Sequence, residues 1–155
     1  MPELKELKLF YLDLYSLHDT LAKFIDLSAL IHLALHACHE VEPSISELGR
    51  QALRKRFYLE HIAVNTNSTI SEGAMAENSA LNAGFGNILR TCAPIRSLHL
   101  CHAVLEPAPP AIMKHLQTGG SDIELLSFNA DEATLNARDF DTVCKLCPNL
   151  QQLAF

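Results

Sequence analysis

The stretch Leu30-Ile-His-Leu-Ala-Leu-His-Ala-Cys38 carries the pattern that recurs through the whole chain. Its frame, LxxLxLxxC, has apolar residues at the first, fourth and sixth positions, and the 155-residue sequence repeats this apolar spacing six times. The frames begin at Leu4, Leu30, Leu59, Ile95, Ile123 and Leu150. The intervals between them are 26, 29, 36, 28 and 27 residues, a range in which structural repeats occur. The sequence therefore predicts a repeat architecture.

Each frame predicts a short strand, and an apolar stripe at helical spacing follows most of them. The predicted helices are one capped by Ser16, one opened by a capping box of Ser44 and Glu47, one carrying the stripe from Leu81 to Cys92, one opened by Pro109-Pro110 and closed by Gly119-Gly120, and one capped by Asn136. Strands and helices therefore alternate along the chain.

Alternation within the strands separates two α/β architectures. Strands of a doubly wound sheet are covered on both faces and read as continuous apolar runs. Here His32, Ala34 and His36 interleave with leucines, so one face is meant for solvent or a partner. This pattern predicts an α/β solenoid with a parallel concave sheet and helices on the convex side.

Two junctions carry a family resemblance. Thr91-Cys-Ala-Pro94 precedes one frame and Cys144-Lys-Leu-Cys-Pro-Asn149 precedes another, and both resemble the Cys-Pro-x-Leu segment of the leucine-rich repeats of F-box proteins. At the ninth position only Cys38 and Asn67 carry the usual Cys or Asn, and no F-box sequence is visible. The resemblance implies a leucine-rich-repeat solenoid, and it implies the substrate-recognition part of an F-box-type ubiquitin-ligase subunit.

The frames predict a single domain, residues 1–155, of about five and a half repeats. Phe155 closes the chain on a predicted strand, and a solenoid needs a capping repeat at its end, so we expect a fragment of a longer array, a truncated gene product or a chain that needs a partner at its C-terminal end. The long interval places a polar insertion at residues 65–80, predicted as a surface loop or a recognition loop.

Composition narrows the function classes. The net charge of −6 argues against a nucleic-acid partner, because neutralising phosphates requires clustered Lys and Arg. No stretch has the length and apolarity of a signal peptide or a membrane span. Five cysteines at irregular spacing predict no disulfide framework and favour a reducing, intracellular location in cytoplasm or nucleus.

Candidate binding residues follow from the frame, because its third, fifth and seventh positions point away from the apolar ones. The predicted partner-binding residues are His32, His36, His61, Asn65, His99, Cys101 and Asn129. His32 and His61 share one column, so a zinc or copper site with His99 and Cys101 is an open alternative to a polar contact surface for a protein partner. We predict the contact surface and no metal.

No catalytic or cofactor motif appears, so we predict a non-enzymatic protein that recognises other proteins. Cys144 and Cys147 have the Cys-x-x-Cys spacing, yet both fall on an apolar stripe with Phe140 and Val143, which predicts core thiols. Two alternatives remain: a free-standing scaffold or inhibitor module of the ribonuclease-inhibitor kind, and a small α/β enzyme.

Overall fold

The computed structural model describes residues 3–14, 27–39, 41–66, 75–92, 94–101, 110–129 and 137–154. Within these residues the fold is α/β. Its strands are β1 Glu6–Phe10, β2 His32–Cys38, β3 His61–Thr66, β4 Ser97–Cys101, β5 Leu125–Asn129 and β6 Gln152–Ala154. Its helices are α1 Val41–Ala52, α2 Met75–Thr91, α3 Pro110–Gly119 and α4 Ala137–Leu146, with 3-10 turns at Leu27–Ala29 and Gly120–Asp122.

The six strands form one parallel sheet in the order in which they occur along the chain, β1 to β6. The sheet is not closed, since β1 and β6 lie at its two edges. Consecutive helices pack against each other, α1 on α2, α2 on α3 and α3 on α4. The predicted parallel sheet is confirmed, and so is the alternation of strands and helices from β2 to β6.

A repeated hydrogen-bond pattern joins the strand starts. At each step along the sheet, one carbonyl just before a strand accepts two N–H donors from the next strand start. The carbonyl of Lys5 accepts from Ile31 and His32 at 2.8 and 3.0 Å, and that of Ile31 accepts from Glu60 and His61 at 2.9 and 3.1 Å. The carbonyls of Glu60, Arg96 and Glu124 continue the pattern. The sequence frames are therefore equivalent in backbone structure as well as in apolar spacing.

The apolar positions of the frame build the core. On β2, Leu33 and Leu35 are buried, and on β4, Leu98 and Leu100 are buried. Successive strand side chains point to opposite faces, so this one face of the sheet joins the buried sides of the helices in a single apolar cluster. The helices contribute to that cluster with residues such as Ile45, Ile88, Ile112 and Val143.

The predicted capping box is wrong. α1 begins at Val41, so Ser44 lies inside the first turns of the helix, and its buried hydroxyl has no hydrogen-bond partner. Glu47 instead accepts hydrogen bonds from Arg50 and Gln51. Pro43 is the reason for the earlier start, because proline is compatible with the first turn of a helix.

The predicted loop at residues 65–80 is shorter than the sequence suggested. β3 continues to Thr66 and α2 already begins at Met75, so only residues 67–74 separate them, and these lie outside the described residues. α3 runs from Pro110 to Gly119, which agrees with the predicted start at Pro109-Pro110 and end at Gly119-Gly120. The helix predicted after Ser16 and the cap at Asn136 also lie outside the described residues.

The cysteines of α4 do not behave alike. Cys147 is buried, but Cys144 is exposed, so the prediction of two core thiols is wrong for Cys144. The buried face of α4 runs through Val143 to Cys147, whose sulfur lies near Gly120. Phe140 and Cys144 stand on the adjoining, exposed flank, which a stripe at i, i+3, i+4, i+7 does not distinguish.

Thiol labelling checks this placement. We expect a maleimide to modify Cys144 quickly in the native protein, and the other four thiols roughly tenfold or more slowly, because Cys38, Cys101 and Cys147 are buried and burial raises the pKa of the half-buried Cys92 to about 12. Cys144→Ser is expected to remove the fast phase. Two fast thiols in the native protein, or a fast phase that survives in Cys144→Ser, would contradict the packing of α4.

None of the helices described above combines the length and the apolar character needed to span a membrane.

Candidate functional site

The register of the sheet arranges the third, fifth and seventh frame positions in three rows. We call this surface the strand face. The first row is Glu6, His32, His61, Ser97, Leu125 and Gln152. The second row is Lys8, Ala34, Ala63, His99, Ser127 and Ala154. The third row is Phe10, His36, Asn65, Cys101 and Asn129.

A stacked pair of imidazoles lies in the first row. The ring centroids of His32 and His61 are 4.2 Å apart and their planes differ by 13°. Parallel in-register strands place equivalent residues about 4.8 Å apart, which allows this stacking. Burial and the charge that His32 can carry lower the pKa of His61 below its ordinary value of 6.5. The predicted shared column is therefore a direct contact.

A second stacked pair begins the third row. Phe10 and His36 have ring centroids 5.1 Å apart and planes 13° apart. Phe10 is 51% exposed, and Tyr11 and Leu12 beside it are also exposed. Tyr11 has a left-handed backbone, with φ of 55°, and its N–H donates to the carbonyl of His36 at 3.0 Å. This turn creates an exposed apolar border next to the histidines.

Small side chains form the floor between the two outer rows. Ala34 is buried and Ala63 is half-buried, and both lie in the second row. His99 follows them on β4, where burial and the charge that His36 can carry lower the pKa of its imidazole. Methyl groups are shorter than the side chains that flank them, so we expect a shallow depression here, and the register places four histidines next to it.

The charges of the strand face are concentrated at β1. The ammonium of Lys8 lies 2.6 Å from the carboxylate of Glu6, and both side chains are exposed. Hydrogen bonding and attraction from Lys8 lower the pKa of Glu6, with a smaller contribution from His32. Glu6 therefore stays ionised and paired, and it adds no uncompensated negative charge to the face.

The other predicted binding residues differ in accessibility. Asn65 is half-buried in the third row beside His36. Cys101 is only 7% exposed, which leaves little of its side chain for contact with a partner, and its assignment stays a prediction. The backbone of Asn129 lies opposite Cys101, and its side chain is outside the described residues. The sequence placed Phe10 on this face, at a seventh frame position, but the predicted binding residues included neither Phe10 nor Tyr11.

The metal alternative finds no support in the part of the chain that the structure describes. There, no three His, Cys, Asp or Glu side chains are placed to hold one metal ion. A structural or catalytic zinc site needs three or four converging ligands. His32 and His61 face each other as stacked rings, which directs their ring faces, not their nitrogen atoms, at each other.

Two grooves lie away from the depression. One of about 710 Å³ runs between α2 and α3 and includes Cys92, Lys114, His115 and Asp122. Burial raises the pKa of the Cys92 thiol to about 12, which makes it a poor nucleophile. The other, of about 440 Å³, surrounds Arg96 at the strand starts.

Arg96 organises the smaller groove through two ion pairs. Its guanidinium lies 3.5 Å from the carboxylate of Glu60 and 3.7 Å from that of Glu124. The three residues stand at the second frame position on neighbouring repeats, so their charges alternate across the sheet. Such exposed pairs each contribute about 0–1 kcal/mol, and their role is to tie adjacent repeats together.

Histidine titration makes the fold sensitive to mild acid. The pKa values of His61, His99 and His115 are lowered in the folded protein, in each case mainly by burial. Below pH 6.5, the ordinary imidazole pKa, the unfolded chain therefore binds more protons than the folded one. Folding stability consequently decreases as the pH is lowered. We expect the melting temperature to drop between pH 7.5 and pH 5.5. His115→Gln is expected to reduce that drop, and an unchanged or rising melting temperature in acid would contradict the three shifts.

Comparisons with known proteins add no relative. No family model matches the chain, and neither a curated protein nor a solved structure shows significant similarity to it.

Proposed function

We propose that this chain is a leucine-rich-repeat solenoid that recognises a protein partner through its strand face. The observation that carries the proposal is the contrast between the two sides of each strand. The frame leucines of β2 and β4 are buried, whereas His32, His61 and His99 beside them remain partly accessible. A sheet that buries one face and presents aromatic and polar side chains on the other has the chemistry of a protein-binding surface.

Three features of the fold support the solenoid part of the proposal. Strand order follows chain order, consecutive helices contact each other, and the same carbonyl pattern recurs at each strand start. In a repeat protein each unit contacts mainly its neighbours, which yields these features together. The doubly wound alternative is less favoured, because its strand order reverses at a switch point.

The resemblance to F-box leucine-rich repeats supports a more specific version of this proposal. In that version the strand face selects substrates for a ubiquitin ligase, and another segment docks the ligase. The two cysteine-containing junctions at Thr91–Pro94 and Cys144–Asn149 support this assignment. A free-standing scaffold or inhibitor module is the alternative, and it uses the same strand face.

Comparative capture tests the recognition proposal. The chain and its His32→Ala, His61→Ala, His99→Ala triple variant are used as baits in parallel, with Lys114→Ala as a control on the exposed part of α3. We expect a partner retained by the wild type and the Lys114 variant to be lost at least tenfold from the triple variant, because hot-spot side chains carry most binding energy. Circular dichroism confirms that all baits are folded. Equal retention by all three would remove the strand face as the binding surface.

A further inference from the structure

The four imidazoles of the strand face surround one depression. His32 and His61 bound it in the first row, His36 in the third, and His99 on the strand beyond. Ala34 and Ala63 form its floor. No element of the frame requires histidine at these positions, since the third, fifth and seventh residues lie outside the apolar core. The clustering of these four histidines is therefore a feature of this surface and is not required by the repeat frame.

The charge around the depression contrasts with that of the whole chain. The chain carries a net charge of −6, but among the described side chains of the strand face Glu6 supplies the one carboxylate, and Lys8 already pairs with it at 2.6 Å. At the strand starts, Glu60 and Glu124 act on His61, and Arg96 lies between these two carboxylates. The strand face itself is therefore neutral when its imidazoles are neutral and cationic once any of them is protonated, and the two carboxylates and one guanidinium at the strand starts leave one net negative charge beside His61.

We infer that the partner presents an acidic peptide segment, whose carboxylates lie over the four histidines and whose apolar residue packs on Phe10 and Tyr11. This inference rests on the proposed function and adds the chemistry of the ligand. At one end of the strand face, the exposed aromatic rings provide apolar area on which a partner side chain can pack. The imidazoles are the only cluster of side chains on the described face that become cationic by taking up a proton. Charge complementarity between this cluster and carboxylates selects an acidic segment over a neutral or basic one.

Proton uptake accompanies this binding. In the free protein, burial holds the pKa values of His61 and His99 below the ordinary value. The charge that His32 can carry adds to this effect at His61, and that of His36 adds to it at His99. A carboxylate placed over them favours the imidazolium form and raises those pKa values in the complex. A group whose pKa is higher in the complex strengthens binding at low pH, and that gain is lost as pH rises through the bound-state pKa. Affinity is therefore highest in mild acid.

The dimensions of the sheet define a probe. Phe10 lies on β1 and His99 on β4, three strand spacings away, or about 14 Å. An extended peptide covers that distance with about four or five residues at roughly 3.3 Å each. The probe is the labelled peptide Phe-Gly-Glu-Glu-Glu-Glu with blocked ends, and the controls replace all four glutamates with glutamine or lysine. Glutamate stays mostly ionised above pH 5.5, so the probe itself titrates little.

Fluorescence polarisation with the full chain gives the affinity at each pH. Between pH 7.5 and pH 5.5 we expect binding of the glutamate probe to tighten by up to about tenfold per pH unit for each imidazole that takes up a proton. The glutamine and lysine probes are expected to show no such gain. The double variant His32→Gln, His61→Gln should lose about half of the pH dependence, whereas Lys114→Ala should keep all of it.

Histidine NMR provides an independent readout. The glutamate probe is expected to raise the imidazole pKa of His61 and to leave that of His115, in the α2–α3 groove, unchanged. Equal binding of the glutamate and glutamine probes at pH 5.5, or full pH dependence in the double variant, would overturn the inference. Those results leave the proposed function standing if the histidine triple variant still loses its captured partner, so the two failures are distinguishable.

Discussion

Leu98→Ala is expected to lower the free energy of unfolding by about 3–4 kcal/mol, a large fraction of the stability of an ordinary domain. Leu98 is fully buried at the fourth frame position of β4. Its strand lies inside the sheet, and Leu98 is in register with Ile62 on one side and Leu126 on the other. Truncation removes apolar contacts and leaves a cavity that flanking strands cannot fill. Urea unfolding followed by circular dichroism measures the loss.

The repeat frame supplies matched variants for this test. Ile62→Ala and Leu126→Ala occupy the equivalent positions and are expected to cost a similar amount, about 3 kcal/mol each. Leu7→Ala and Leu153→Ala occupy it on the two edge strands, where both residues are half-buried, so about half that loss is expected. Ser97→Ala, on the opposite face, should change stability by less than about 0.5 kcal/mol. Equal losses at the edge and in the centre would contradict the burial gradient.

Gly49→Ala is expected to destabilise the protein by about 2 kcal/mol, although alanine favours a helix over glycine by about 1 kcal/mol. A Cβ atom at Gly49 would lie 2.6 Å from the carbonyl oxygen and 2.7 Å from the Cα of Gly84 on α2. A Cβ atom at Gly84 would in turn lie 2.8 Å from the carbonyl oxygen of Ile45 on α1. These are backbone atoms, so the two helices must move apart to admit a methyl group.

Gly119→Ala is the control for this contact. Its added Cβ would meet the imidazole of His115 at 3.2 Å, a side chain that can rotate away. We expect Gly119→Ala to change the melting temperature by a few degrees at most, and Gly49→Ala and Gly84→Ala by clearly more. Stabilisation by Gly49→Ala would show that helix propensity outweighs packing and that α1 and α2 lie further apart than described.

Strand positions were predictable because their period is unambiguous. A two-residue alternation flips every side chain if the register slips by one residue, so the leucines at 33, 35, 98 and 100 specify which face is buried. The same frame predicted that His32 and His61 lie side by side. Parallel pairing in chain order then follows once each helix returns the chain to the start of the next strand.

Helix starts and helix faces were less predictable. Ser44 and Glu47 have the spacing of a capping box, but Pro43 is equally suited to a first turn, and the helix starts before it. Met75 begins α2 inside a polar stretch without apolar periodicity, although Met75, Ala76 and Glu77 individually favour a helix. Cys144 illustrates the limit of an apolar stripe: positions i+3 and i+4, here Val143 and Cys144, differ by about 100°, enough to place one side chain in the core and its neighbour outside.

The sequence predicted which residues form the strand face, but it did not predict how their side chains are oriented. Spacing along the chain identified which residues face outward, and it carried no information on how rings orient. The stacking of His36 on Phe10 depends on side-chain rotation, and the left-handed backbone at Tyr11 depends on the turn that follows β1. Burial of Cys101 depends on the bulk of its neighbours on adjacent strands, which the frame alone does not determine.

Site-specific photo-crosslinking tests the recognition proposal most directly. A photoreactive phenylalanine derivative replaces Lys8 or Ser97 on the strand face, and Lys114 or Lys145 on the helices, in otherwise unchanged chains expressed in cells. We expect one and the same protein to crosslink from Lys8 and Ser97 and not from the two helix positions. Crosslinks from the helix positions alone, or equal crosslinks from all four, would contradict recognition through the strand face.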